Sequence, residues 1–303
     1  LIGLGYIARW SGIIQRDQMQ GVGVFVLYCA LPALVIRALT QQPLEEVFKL
    51  NYLVAYGLGS IAVFAAGLLL CLKLQRQPLN ASAMQALGMS ASNSGFVGYP
   101  VAAMVIGSPA AVLMALNMVI ETLIIIPAAL ILAEMGSHQG SSTWITVKKT
   151  LLSLIKNPVL VGLLIGICLA VTGVNIPAPL FKAIDMLAEA AGPAALFVIG
   201  GALFGLQVKG MASDVGQIVI GKLIIHPLLI FIAFYFVPGI DPLYMAGALL
   251  FAAAPMISIY PLFGQRYGLG GVSAAAMLVA TVASFFTLSL IIGLMSLSGM
   301  LAF

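Results

Sequence analysis

Three groups of residues have types and spacings that could do chemistry, and each sits in a stretch otherwise suited to hydrocarbon. Residues 90–100 read S-A-S-N-S-G-F-V-G-Y-P. Serines, an asparagine, two glycines and a proline weaken a helix and carry polar groups that need partners in lipid. The helix is therefore expected to be interrupted there. Residues 252–261 read A-A-A-P-M-I-S-I-Y-P, a second apolar stretch broken by two prolines and a serine. A broken helix exposes unpaired backbone N–H groups at the start of its second half, and that end carries partial positive charge. Two such ends brought together form an anion site that needs no Lys or Arg. Asn93, Ser92, Ser94 and Ser258 supply directed hydrogen bonds, and Gly95, Pro100, Pro255, Met256 and Pro261 complete the expected substrate-binding set.

The third group is ionisable. Glu121 lies half-way along an apolar segment with Asn117 one turn before it, and Lys222 and His226 form an i, i+4 pair in another. An intramembrane carboxylate suggests function by default, here proton coupling, with a protonated or hydrogen-bonded helix tie as the alternative. Either member of the Lys222/His226 pair could neutralise Glu121 or a bound anion. For Lys222, snorkelling to the nearer membrane surface is the favoured reading. His226 precedes Pro227, so it could instead serve the backbone carbonyls that the proline frees.

These residues need elements to position them. The chain is 62% hydrophobic and 7% charged, with mean hydropathy +1.15, against roughly 25% charged in soluble domains, and so reads as an all-α integral membrane protein. Apolar segments at about 1–9, 20–40, 50–73, 81–106, 109–134, 156–173, 178–205, 214–237, 242–265 and 270–298 make ten spans. Leu1 already lies inside an apolar run, so the first helix is expected to begin upstream of it. The hydrophilic connection at 135–149 divides residues 1–134 from residues 150–303, five spans each.

A shift of 161 residues superposes Gly5 on Gly166, Gly12 on Gly173, Pro32 on Pro193, Tyr99-Pro100 on Tyr260-Pro261 and Gly107 on Gly268. Halves with an odd number of spans enter the membrane from opposite sides, so the pair reads as an inverted repeat, with the two breaks meeting near the midplane. Connections after the odd-numbered spans hold nine Lys or Arg (Arg9, Arg16, Lys73, Arg76, Lys148, Lys149, Lys156, Lys209, Arg266), and the opposite face holds three (Arg37, Lys49, Lys182). That bias puts the 135–149 loop in the cytoplasm and both termini outside. Arg37, Trp10 and Trp144 read as interface anchors, Asn51 as a helix cap, Lys182, Asp185 and Glu189 as an ion-paired stripe, Tyr28 as part of the scaffold face, and Cys29, Cys71 and Cys168 as buried thiols.

N-S-G-F-V-G-Y-P at residues 93–100, K-N-P-V-L-V-G-L-L-I-G at 156–166 and P-M-I-S-I-Y-P-L-F-G-Q-R-Y-G at 255–268 resemble the bacterial, malonate-transporter-like branch of the auxin efflux carrier family. The resemblance covers nearly the whole chain. It implies ten helices in two inverted five-helix repeats, similar to the sodium/proton antiporter and bile acid symporter folds, with helices four and nine crossing. It also implies a scaffold of spans 1, 2, 6 and 7, a moving transport core of spans 3–5 and 8–10, a homodimer through the scaffold, and an organic anion as cargo. Plant members begin the crossover with a Pro-Asn pair; here Ser92 precedes Asn93, and Met256 and Ile257 follow Pro255.

No metalloprotease, nucleophile-elbow or phosphate-loop motif is present, so the reading is not an enzyme, with no cofactor, no metal site and no nucleic-acid partner. The expectation is a secondary carrier for a small mono- or dicarboxylate in a bacterial cytoplasmic membrane, working by elevator-type alternating access, with H+ or Na+ as the coupling ion. An anion channel and a sensor or receptor on the same fold are the rivals.

Overall fold

The structure is a computed structural model that describes residues 1–41, 49–137, 158–174, 176–202, 204 and 212–298. Most of the 135–149 loop, with Trp144, and Lys148, Lys149, Lys156 and Lys209 of the charge count lie outside the described residues. Among the described residues the chain is helical: α1 (Ile2–Trp10), α2 (Arg16–Thr40), α3 (Leu50–Leu74), α4 (Leu79–Ser90), α5 (Ser94–Ile106), α6 (Pro109–Gly136), α7 (Pro158–Thr172), α8 (Ala178–Gly201), α9 (Ala212–Phe236), α10 (Pro242–Ala253), α11 (Tyr260–Arg266) and α12 (Gly270–Leu297). Six of them, α2, α3, α6, α8, α9 and α12, are 24 to 28 residues long and apolar. At 1.5 Å per residue such helices exceed the roughly 30 Å of a hydrocarbon core, as a multi-pass membrane protein requires.

Prolines leave a regular mark on these long helices. The π-helical turns Val26–Ala30, Glu121–Ile125 and Gly221–Ile225 each end two residues before a proline, at Pro32, Pro127 and Pro227. A proline has no N–H and its ring crowds the carbonyl four residues back, and widening the preceding turn relieves both. Glu121 and Lys222 therefore sit at the first and second positions of widened turns.

Two compact units are present. The first comprises Leu1–Leu50, Gly95–Leu116 and Ile155–Leu206. Within it α1 packs on α8 and α7 packs on α2 at backbone distance, because the contact residues are glycines. A Cβ on Gly5 would lie 2.0 Å from the Phe197 carbonyl oxygen, one on Gly200 1.9 Å from that of Ile2, and one on Gly162 2.9 Å from the Pro32 Cα. Arg37 is not a simple interface anchor: its Nη1 donates to Asp185 Oδ1 at 2.8 Å, and Lys182 reaches the other oxygen at 3.2 Å. Glu189 and Tyr28 are exposed.

The second unit comprises Asn51–Ser94, Asn117–Leu154 and Gln207–Phe303. Its close approaches are glycine to side chain: Gly88 lies under the Tyr260 ring, and Gly67 and Gly221 lie on the Met89 side chain. Asn51 is inside α3 and donates to the Pro238 carbonyl instead of capping the helix. Of the thiols only Cys71 is buried; Cys29 and Cys168 are exposed.

Candidate functional site

Both expected interruptions are present, and both lie in the second unit up to Ser94. The first separates α4 from α5 at residues 91–93, the second separates α10 from α11 at residues 254–259. They differ in length because Ser94–Gly98 winds into a π turn, so the polar stretch 90–100 is unwound over only three residues. The two open segments cross as antiparallel extended backbone. Asn93 N–H donates to the Pro255 carbonyl at 2.8 Å and Ile257 N–H to the Ala91 carbonyl at 3.3 Å, flanking the pair Ser92 and Met256. Backbone groups freed by one break are thus satisfied by the other.

This bridge changes the expected division of labour. The sequence assigned anion recognition chiefly to Asn93 and to free backbone N–H groups, but the N–H groups of Asn93 and Ile257 are spent on the bridge and that of Ser92 on Glu121. The polar side chains left at the crossing are Asn93, half-buried, and Ser258, exposed, with Asn93 Nδ2 donating to Ser258 Oγ at 2.8 Å. Met256 and Pro255 are buried beneath them, and Pro261 is half-buried in the first turn of α11. Gly95 lies against Leu31, where a Cβ would come within 2.8 Å of a methyl, and Pro100 is buried in α5.

Ser92 and Ser94 turn inward to the ionisable group. Glu121 is 2% exposed, and its Oε1 accepts from Ser92 N–H at 3.0 Å, Ser94 Oγ at 3.2 Å and Tyr56 Oη at 3.3 Å. Lys222 does not snorkel. It is fully buried, and its Nζ donates to Ser92 Oγ at 2.7 Å, His226 Nδ1 at 2.7 Å and the Ala252 carbonyl at 2.8 Å. Three acceptors match the three N–H bonds of an ammonium. The Ala252 carbonyl is available because α10 stops at Ala253 and leaves no following helical N–H to reach it, so the cation also faces the negative end of a helix. Against the simpler expectation, His226 serves this network and not the carbonyls before Pro227: with Nδ1 accepting, its proton sits on Nε2, 3.2 Å from Ser60 Oγ. Ser92 is the joint of the assembly, its N–H on the carboxylate and its hydroxyl on the ammonium.

Asn117 belongs to the same wall. Its Oδ1 accepts from Tyr52 Oη at 2.9 Å, while its buried Nδ2 has no partner among the described residues. Sequence reading overlooked the α3 contribution. Tyr52, Tyr56 and Ser60 recur every four residues, which puts them on one helix face in an otherwise apolar span, and that polar stripe was the available signal. A second missed group closes the far end of α11. Arg266 Nη2 and Tyr267 Oη both donate to Glu134 Oε2, at 3.2 and 3.0 Å. Burial pushes the Tyr267 phenol up to about 12, so it stays a donor at neutral pH.

The arrangement offers neutral hydrogen-bond donors at a crossing of two broken helices, backed by a buried carboxylate and ammonium joined through Ser92. Comparison with known proteins agrees with a transport role. A family described as membrane transport protein matches residues 1–292. A curated protein of Rhizobium meliloti (strain 1021), named "Putative malonate transporter", is 29% identical over 283 residues, covering 93% of this chain and 88% of that protein.

Proposed function

From the membership of this chain in the auxin efflux carrier family of membrane transport proteins, we propose that it is a secondary active carrier for a small organic anion. As a member of that family it is a transporter and not an enzyme. The observation that carries the finer reading is the crossing itself: two helix breaks paired through backbone, with Asn93 and Ser258 presented at the opening. In this reading a carboxylate displaces the mutual hydrogen bond between those two side chains and is bound by both. The name of the Rhizobium relative makes malonate the first cargo to test.

Ten spans in two inverted repeats are part of the proposal. The repeat is supported by backbone conformation at the superposed glycines: Gly12 and Gly173 have φ of +76° and +64°, Gly107 and Gly268 +71° and +79°. These left-handed turns, which favour glycine, recur at the same offset as the sequence matches. The reciprocal glycine packing of α1 on α8 and α7 on α2 fits the same symmetry. Elevator-type motion of a core against a scaffold of spans 1, 2, 6 and 7, residence in a bacterial cytoplasmic membrane with both termini outside, and a homodimer complete the reading. Lys222 occupies a position among three acceptors where a mobile cation would otherwise sit. That favours H+ over Na+ as the coupling ion, with Glu121 as the exchanging group.

The test is uptake of labelled malonate into liposomes containing the purified protein. Saturation and counterflow are expected, and both are expected to be lost in Asn93→Ala while insertion and thermal midpoint stay normal. Unsaturable flux identifies a channel, binding without flux identifies a sensor, and unchanged malonate affinity in Asn93→Ala removes the crossing as the site.

A further inference from the structure

The first unit holds a cavity that the carrier reading leaves without a role. α5 ends at Ile106, Gly107 reverses the chain with φ +71°, and Ser108 is the link before α6 begins at Pro109. This corner faces α2 across a cavity of about 350 Å³, within the range of small-ligand pockets. Its walls are Leu34, Ala103 and Ala111, and its polar groups are Arg37, Tyr99 and Ser108. The mixture of an apolar lining with a few convergent donors is that of a binding site.

Charge decides what it would bind. A guanidinium has five N–H donors in a planar fork. Arg37 spends one on Asp185, and no second bond is present among the described residues. Lys182 shares the same carboxylate, so two cations face one anion and the cluster carries one net positive charge. The Arg37 side chain is 23% exposed, accessible but held by its ion pair on one side. Among the described residues the Arg37 guanidinium bonds no second oxyanion.

We propose that this cavity is an oxyanion-binding site, separate from the helix crossing, in which Arg37 receives a carboxylate or phosphate oxygen with support from the Tyr99 hydroxyl. The fork geometry suits a planar carboxylate such as malonate, and the same chemistry is available from the phosphate of an anionic lipid headgroup. The site stands whether or not the crossing carries cargo.

Ser108, exposed at the rim, provides a local readout. In a protein with Cys29, Cys71 and Cys168 replaced by serine, Ser108→Cys is modified by a methanethiosulfonate reagent, its thiolate forming a mixed disulfide and releasing methanesulfinate, in phosphatidylcholine nanodiscs with and without malonate. Modification is expected to slow about tenfold when malonate is ten times its Kd. The slowing is expected to persist with Asn93→Ala, which disables the crossing, and to vanish with Arg37→Gln. Phosphatidylglycerol nanodiscs without malonate form the second arm; slowing there that also depends on Arg37 assigns the oxyanion to lipid. Asp185→Asn leaves the guanidinium in place and removes its competitor, so malonate is expected to protect at about fivefold lower concentration. No protection in either arm, protection that survives Arg37→Gln, or weaker protection in Asp185→Asn each overturns the proposal.

Discussion

Replacing Lys222 by Met keeps the volume of the side chain and removes its charge from the centre of the second unit. Three acceptors then lose their donor: Ser92 Oγ, His226 Nδ1 and the Ala252 carbonyl. The hydroxyl can rotate and the imidazole can change tautomer, but the carbonyl cannot move and Glu121 loses the Lys222 charge that compensates it. A buried acceptor left unmade costs about 1–3 kcal/mol, and breaking a buried charge pair from one side about 3–5 kcal/mol. The larger figure governs, and at about 2 °C per kcal/mol for a chain of this length the thermal midpoint of the purified protein is expected to fall ~6–10 °C. Glu121→Gln removes the other charge and is expected to cost about 3 kcal/mol by the same reasoning. Because Ser92 joins the two groups, the double variant is expected to be destabilised by at least ~2 kcal/mol less than the sum of the singles. Additive losses would falsify the view that carboxylate and ammonium form one network through Ser92.

Glu121→Gln is also expected to flatten the pH dependence of malonate uptake into liposomes, since it removes the group proposed to exchange the proton; an unchanged pH profile takes Glu121 out of coupling. Gly200→Ala forces a methyl to within 1.9 Å of the Ile2 carbonyl oxygen and is expected to cost about 1–3 kcal/mol by separating α1 from α8. Gly3→Ala, where a Cβ meets nothing within 4 Å, serves as its control and is expected to leave the midpoint unlowered. A C-terminal alkaline phosphatase fusion is expected to be active, and an inactive fusion reverses the proposed orientation.

Several features of the site were legible in the sequence because they are local. Pro, Gly and Ser inside an apolar run announce a break regardless of what surrounds it, and both breaks fall where residues 90–100 and 252–261 placed them. Glu121, Lys222 and His226 were identifiable because an ionisable group in a span is costly wherever it points. What they bond to was not legible. The favoured snorkelling of Lys222 fails because Ala252, thirty residues along the chain, offers a helix-end carbonyl that hydropathy does not reveal. The stripe of Tyr52, Tyr56 and Ser60 has the period of a helix face, yet its target, the Asn117–Glu121 turn, is set by which helices become neighbours.

Composition and pattern alone thus determined a multi-pass helical membrane protein with two interrupted helices, since length, hydropathy and helix-breaking residues act within one segment. Tertiary structure decided how residues 90–100 are used: three residues unwound instead of the whole stretch, two of its serines turned to Glu121 and Lys222, and Asn93 left at the opening beside Ser258. The reason is that freed backbone N–H and C=O groups inside a membrane protein must find partners, and the two breaks that bridge each other belong to segments more than 100 residues apart in the chain.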